Sequence, residues 1–500
     1  MEVTGFQFEN FEKGREKVKN RIFFISLAVV LALSVGLISC GGEEVPEIPE
    51  QPITLVIGMA RDTDEDLAIF EWLCGGVVMR EFVEQVNAAG GVHLSAYDTA
   101  SGDCYVPLEI DRREINVAAW DIEEVTAEIC SDIANGEVHF LIGGPSTDCI
   151  IAQAPIANGF KTVLLTLEGA AATIANDPLR LAKWPYTFLT LCYSDWYQLP
   201  VLSDMLEAEL DRTPKAYVAH IGEWGAAHGE EYLSVAEDNF DVVGDVEIPW
   251  MITQSEANTV IQNAITALGD PADPNYDLFC GFCFPWLVQS LTQAIIDNNF
   301  NPPAIVFGPG AGFGVYPYWY GFPPDPSTEP SLDPSLVDGI LSFTVAAYDT
   351  NAEIQAVYDA LAERMDDDEG DPLSGLQGLP GILSLDYWGT PCYWAGLEML
   401  LEAIERVGYV DQELLRDALA ASEDDPMHTV MGDCWFRMYG TSGRGGGNLD
   451  YLCHSGEIGQ WQSAIFETVG YDGITDNLPN YVVTADFMFP MTDLWNWLQD

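Results

Sequence analysis

The chain has 500 residues, more than one core usually organises, and its 48% hydrophobic and 20% charged residues, with 14 Trp, 20 Tyr and 23 Phe, exclude a disordered chain. Acids outnumber bases by 79 to 19, a net charge of −60. Nucleic-acid binding and adhesion to anionic lipid through a basic patch both need clustered cations, so both are excluded.

In chain order, Lys13, Arg15, Lys17, Lys19 and Arg21 form a basic stretch, an apolar run spans Ile22 to Ile38, and the run ends in Leu37-Ile38-Ser39-Cys40-Gly41. This reads as an export signal of the bacterial lipoprotein type over residues 1–39, with Cys40 as the lipidated first residue of the mature chain. An uncleaved membrane anchor is the competing reading of the same apolar run. Residues 40–51, rich in Gly, Pro and Glu, read as a tether.

From Ile53 the chain alternates strand and helix. Ile53–Gly58 predicts a strand; Cys74, Val78, Phe82 and Val86 recur every fourth residue as a helix stripe, ended by Gly90-Gly91. A polar insertion at 93–107 precedes a short strand at Leu108–Ile110 and a helix with Val125, Ile129 and Ile133 on one face. Strands at Val138–Ile142 and Thr162–Leu167 feed the loops Gly143-Gly144-Pro145-Ser146-Thr147 and Glu168-Gly169-Ala170-Ala171. After Pro185 the rhythm restarts, with strands at Tyr186–Leu191, Ala216–Ile221, Val242–Ile248, Leu278–Gly281 and Ala304–Phe307. Helices fall at 195–210, 226–239, 255–268 and 285–299. Two such runs predict an α/β chain of two doubly wound parallel-sheet lobes, with ligands beyond the carboxyl ends of the strands.

Residues 309–336 break the rhythm with seven prolines and the cluster Tyr316, Tyr318, Trp319, Tyr320 and Phe322, a lid or a packed rind. The acidic run Asp366–Asp368 lacks the alternating ligand spacing of a calcium loop and reads as solvated. The even set of cysteines beyond Cys40 in an exported chain suggests disulfides, with Cys434 and Cys453 a pair flanking a glycine-rich hairpin. Cys280-Gly-Phe-Cys283 has redox spacing, but it sits at a strand end and reads as structural. The six histidines are scattered, so no metal or other cofactor is expected.

The ordered set ITLVIGMA, VEQVNAAGGV, VHFLIGGPSTD, TLEGAAAT, HIGEWGAAHGEEY, LFCGFCFPWL, IVFGPG and GLEMLLEAIERVG, behind a lipobox, resembles the type I periplasmic binding proteins. The likeness is to the leucine/isoleucine/valine-binding branch serving ABC importers. It implies three hinge crossings near 190, 342 and 430, so that residues 52–190 and 343–429 form lobe one and residues 191–342 and 430–500 form lobe two. It also implies a small molecule held between lobes that close on a hinge. On the matching positions, Pro145, Ser146 and Thr147 grip a ligand carboxylate, Ala170 and Ala171 form a second clamp, and Trp224 and Phe282 supply aromatic walls. Gly310 stands where the amino-acid binders of the family place an acid, and Ala171 lacks the family's hydroxyl. A free α-amino group then loses a charge-assisted bond, and amides or aromatic acids become equally suitable. Ser146 as a simple helix cap and Trp224 as core are the plain alternatives.

The resemblance implies a lipid-anchored, extracytoplasmic receptor that delivers solute to a membrane ABC permease. A sensing receptor without transport and an acidic structural surface protein are the competing classes. No Gly-x-Ser-x-Gly, HExxH or Gly-x-Gly-x-x-Gly motif argues for an enzyme.

Overall fold

The computed structural model describes residues 48–62, 77–115, 121–144, 147–167, 181–190, 195–222, 226–249, 252–282, 285–308, 338–344, 351–367, 389–439, 445–449, 457–462, 465–471 and 487–489. The signal and Cys40 lie outside these residues. The chain from Pro52 onward forms one compact unit.

Lobe one opens with β1 (Leu55–Asp62), α1 (Met79–Ala88), β2 (Val92–His93), β3 (Tyr105–Val106), β4 (Leu108–Ile115), α2 (Ile122–Asn135), β5 (Phe140–Ile142), α3 (Thr147–Phe160), β6 (Leu164–Thr166) and β7 (Thr187–Leu189). Its strands alternate between two apolar layers: Phe140 and Ile142 join one cluster, and Leu141 joins the other with Ile129, Cys149 and Leu164. Burial on both faces is why these strands read as unbroken hydrophobic runs. The polar insertion folds as the antiparallel β2–β3 ribbon. The strand expected at 108–110 extends to Ile115 as the sheet edge. Its charged second half is tolerated there because Arg113 reaches Asp111 at 2.7 Å and Asp132 at 2.6 Å.

Lobe two follows with α4 (Asp195–Leu210), β8 (Lys215–Ile221), α5 (Ala226–Asn239), β9 (Asp241–Ile248), α6 (Gln254–Leu268), the small ribbon β10 (Gly269–Asp270) and β11 (Asp273–Pro274), β12 (Leu278–Phe282), α7 (Pro285–Asp297), β13 (Ala304–Gly308) and β14 (Leu341–Thr344). Local chemistry sets the start of α6: the Thr253 hydroxyl accepts the Glu256 N–H, and the Glu256 carboxylate accepts the Thr253 N–H at 2.8 Å, a capping box. The chain then returns to lobe one through α8 (Ala352–Asp367), α9 (Gly389–Val407), α10 (Gln412–Ala420), β15 (Met427–Thr429), β16 (Gly432–Cys434), β17 (Phe436–Met438) and β18 (Gly447–Leu449). It ends in lobe two with β19 (Glu457–Gln462) and β20 (Ile465–Tyr471). The aromatic segment 309–336 and Asp368 lie outside the described residues.

Sheet one has the order β17-β18-β7-β6-β5-β1-β4, and sheet two β20-β19-β14-β13-β12-β8-β9. The inner pairs are parallel, and antiparallel pairs β17–β18, β14–β19 and β19–β20 finish one side of each sheet. The chain therefore crosses between sheets at 190–195, 344–352 and 449–457. The last position corrects the crossing expected near 430, and residues 430–449 belong to lobe one. The reason is pairing: β18 lies parallel to β7, with Gly447 opposite Phe188, so the glycine-rich hairpin extends sheet one.

The expected Cys434–Cys453 bridge reaches beyond the described residues. Cys434 is a free, buried thiol, 3.3 Å from the Thr429 hydroxyl within the β15–β16 hairpin, and Cys453 lies outside the described residues. Cys434 sits opposite Met427 and stands two residues before β17, the first strand of the glycine-rich hairpin. Cys130, Cys149, Cys280 and Cys392 are likewise buried, acting as small apolar core residues. Among the described residues no helix is long and apolar enough to cross a membrane.

Candidate functional site

In the parallel part of each sheet the chain order reverses at one place. β1 is flanked by β4 and β5, and β8 by β9 and β12, so the crevices open between β1 and β5 and between β8 and β12. Ligands of open α/β sheets bind beyond the carboxyl ends of strands at such reversals. The loops after β5, β8 and β12 are three of those singled out from sequence.

At the end of β5, Gly143 donates its N–H to Leu165 O at 2.8 Å, and Gly144 donates to the Gln153 side-chain oxygen at 2.8 Å. Gln153 is buried; its amide donates onward to the Thr126 hydroxyl at 3.2 Å, which in turn donates to Ile122 O at 2.6 Å. A relay from α2 through α3 thus fixes the backbone that enters the proposed anion loop. Glycine is required here by close approach: a Cβ on Gly144 would stand 2.9 Å from the Cys149 Cβ. Pro145 and Ser146 lie outside the described residues, and Thr147 is the first residue of α3. Ala170 and Ala171, after β6, also lie outside. The floor beside them is described: the Thr190 hydroxyl donates to Thr166 O at 2.8 Å, tying the ends of β6 and β7.

In lobe two, Gly222 follows β8 directly and donates its N–H to Ile248 O at 2.7 Å. Trp224 and Gly310 lie outside the described residues. Phe282 is described and is not a free wall. It is 2% exposed, and its ring stacks on Tyr232 of α5 with centroids 4.6 Å apart. Every residue of β12 is buried, so the ring at its end is taken up by the core and backs the crevice instead of standing ready to cover a ligand. Burial pushes the neighbouring Cys280 thiol up, away from the thiolate that redox chemistry needs.

Sequence reasoning missed two groups here. Parallel pairing sets His220 opposite Glu247, and the Glu247 carboxylate folds over Gly222, where an added Cβ would lie 2.1 Å from Oε1. It missed Gln153 as well. The signal for each was a polar residue inside an otherwise apolar helix or at the last turn of an edge strand, but the partner depends on register. Among the described residues no group of His, Cys, Asp and Glu could hold a metal ion.

No protein-family model and no curated protein matches this chain. Solved structures do match. The branched-chain amino acid transporter substrate-binding protein LivJ of Streptococcus pneumoniae, in complex with isoleucine, superposes with a TM-score of 0.58 at 13% identity, covering 83% of this chain and 99% of that one. A periplasmic binding protein type 1 from Bordetella pertussis gives 0.55 at 13%, covering 83% and 100%. This chain has the type I periplasmic binding protein fold. A third member of that fold, an ABC-transporter solute-binding protein of Rhodopseudomonas palustris in complex with 4-hydroxybenzoate, gives 0.54 at 16%, covering 85% and 98%. The periplasmic binding protein fold accounts for the two doubly wound sheets and for the three crossings between them.

Proposed function

We propose that this protein is an extracytoplasmic solute receptor, not an enzyme, that binds a small amino-acid-, amide- or aromatic-acid-like molecule between its lobes and presents it to a membrane ABC permease. One observation carries the reading: in both sheets the order reversals fall at the loops that the sequence motifs single out. The Gly144-Pro145-Ser146 loop, held by Gln153, leads into the N-terminal end of α3, where backbone N–H groups and the helix dipole favour a carboxylate. Ala170 and Ala171 form the second clamp, and Trp224 covers the ligand body from lobe two. The relatives in complex with isoleucine and 4-hydroxybenzoate make those two compounds the first probes. The basic stretch, apolar run and Leu-Ile-Ser-Cys sequence support attachment by lipid at Cys40.

The test is mass spectrometry of ligand released from gently purified protein, followed by calorimetry with that ligand. Trp224→Ala should weaken binding by about 1–3 kcal/mol through lost apolar burial. Ser146→Ala should weaken a carboxylate ligand by about 1 kcal/mol. Unchanged affinity in both variants removes the site assignment.

A further inference from the structure

A second polar cluster lies in lobe one, where the β15–β16 hairpin meets α8 and α9. One peptide unit at the hairpin tip is held from two sides. Glu398 of α9 accepts the Val430 N–H at 2.8 Å, and Asn351 donates its side-chain amide to Val430 O at 3.1 Å. Asn351 is also the cap of α8, accepting the Glu353 and Ile354 N–H groups. The other oxygen of the half-buried Glu398 carboxylate accepts the Trp394 indole N–H at 3.1 Å.

Around this grip stand four acids and one histidine. His428 of β15 lies 3.2 Å from Asp433 of β16 and 3.5 Å from Glu353 of α8, and its backbone N–H donates to Glu402 of α9. Arg406, the cation nearest on α9, is engaged by Glu402 and Asp425. On the elements packed around α9, Arg364 pairs with Glu81 and Glu84, His93 with Asp98, Lys161 with Glu413 and Arg416 with Asp417, and Arg80 lies on α1. Among the described residues, His428 is the cation that reaches both Asp433 and Glu353 beside Glu398.

We propose that Glu398 and His428 form a proton-operated latch that holds the β15–β16 hairpin on α8 and α9, tight when both carry a proton and loosened when both have lost it. Losing the His428 proton removes a balancing charge, and ionising Glu398 adds a negative charge facing Glu353. Burial pushes the Glu398 carboxyl up to about 7, and the Asp433 and Glu353 carboxylates raise His428. The signs agree. Above its ordinary value of 4.5 the folded Glu398 keeps a proton that the unfolded chain has lost, so its contribution to stability falls as pH climbs toward about 7. The contribution of His428 is complete below 6.5 and is lost as pH rises through its folded value. Asn351 follows the second crossing directly, and the hairpin leads through β17 and β18 to the third, so the latch governs how firmly two of the three hinge strands are rooted.

Hydrogen exchange of the purified full chain, corrected for intrinsic rates, tests this at pH 5.5 and pH 8. Peptides covering 427–434 should lose protection about tenfold or more at the higher pH, while peptides from β8 do not. Glu398→Gln keeps an acceptor for Val430 but cannot ionise, and should abolish most of that loss. Equal protection at both pH values, or an undiminished loss in Glu398→Gln, overturns the latch. Should that variant fail to fold, His428→Gln provides the second arm, because the ring is 66% exposed. A clearly smaller pH response supports the latch, and an unchanged one overturns it.

Discussion

The Gln153 side chain carries the backbone of Gly144: its Oε1 accepts the Gly144 N–H at 2.8 Å from two turns inside α3. Gln153→Leu preserves most of the volume but leaves a buried N–H without a partner. The expected cost is about 1–3 kcal/mol, read from urea unfolding. Affinity for the identified ligand should fall further than affinity in Trp224→Ala, because the whole anion loop loses its anchor. An unfolding midpoint equal to that of the parent would show that the relay is dispensable.

At the amino-terminal ends of the strands of sheet two, Arg212 forms a fork with Asp277, both bonds at 2.7 Å, and Asp277 also accepts the Lys215 N–H at 2.8 Å. The Asp277 side chain is 5% exposed, whereas that of Arg212 is 47% exposed. Arg212→Ala leaves the buried carboxylate unbalanced where β8 and β12 begin. A fully buried pair broken this way costs about 3–5 kcal/mol; with one partner half in water, about 2 kcal/mol is expected. A calorimetric melt checks this, and a melting temperature equal to that of the parent would show that the pair is dispensable.

The net charge of −60 makes the folded chain self-repelling, and six of the described cations (Arg113, Arg212, Arg364, Arg406, Arg416 and Lys161) are already committed to carboxylates. Added salt shortens the Debye length to roughly 3 Å at 1 M, which relieves repulsion over most of the surface and weakens only a few pairs. The melting temperature should therefore rise steadily from low to molar potassium chloride. A flat or falling curve would mean that the repulsion is already compensated.

Cys40→Ala should leave a precursor that keeps residues 1–39 and takes up no labelled fatty acid, whereas the parent is shortened and labelled. Electrophoresis of cell fractions reads this directly. A processed, labelled form persisting in Cys40→Ala would place the lipid elsewhere.

Lobe architecture was legible in the sequence because it rests on local periodicity. The apolar runs at Phe140–Ile142 and Leu278–Phe282 can only be buried on both faces, and the intervening helices carry their own stops, such as Gly136 at the end of α2 with φ 76°. The loops of the candidate site were legible for the same reason, since each lies where a strand run ends. What only the tertiary structure decided is partner choice between segments far apart in the chain. The hairpin at 436–449 reads as lobe two until Gly447 settles beside Phe188. Gln153 and Glu398 look like ordinary helix polar residues until packing sets Gly144 and Val430 against them. Local propensity sets where the chain turns, but a hydrogen bond between distant segments exists only after the whole core has fixed their separation to within a few tenths of an ångström.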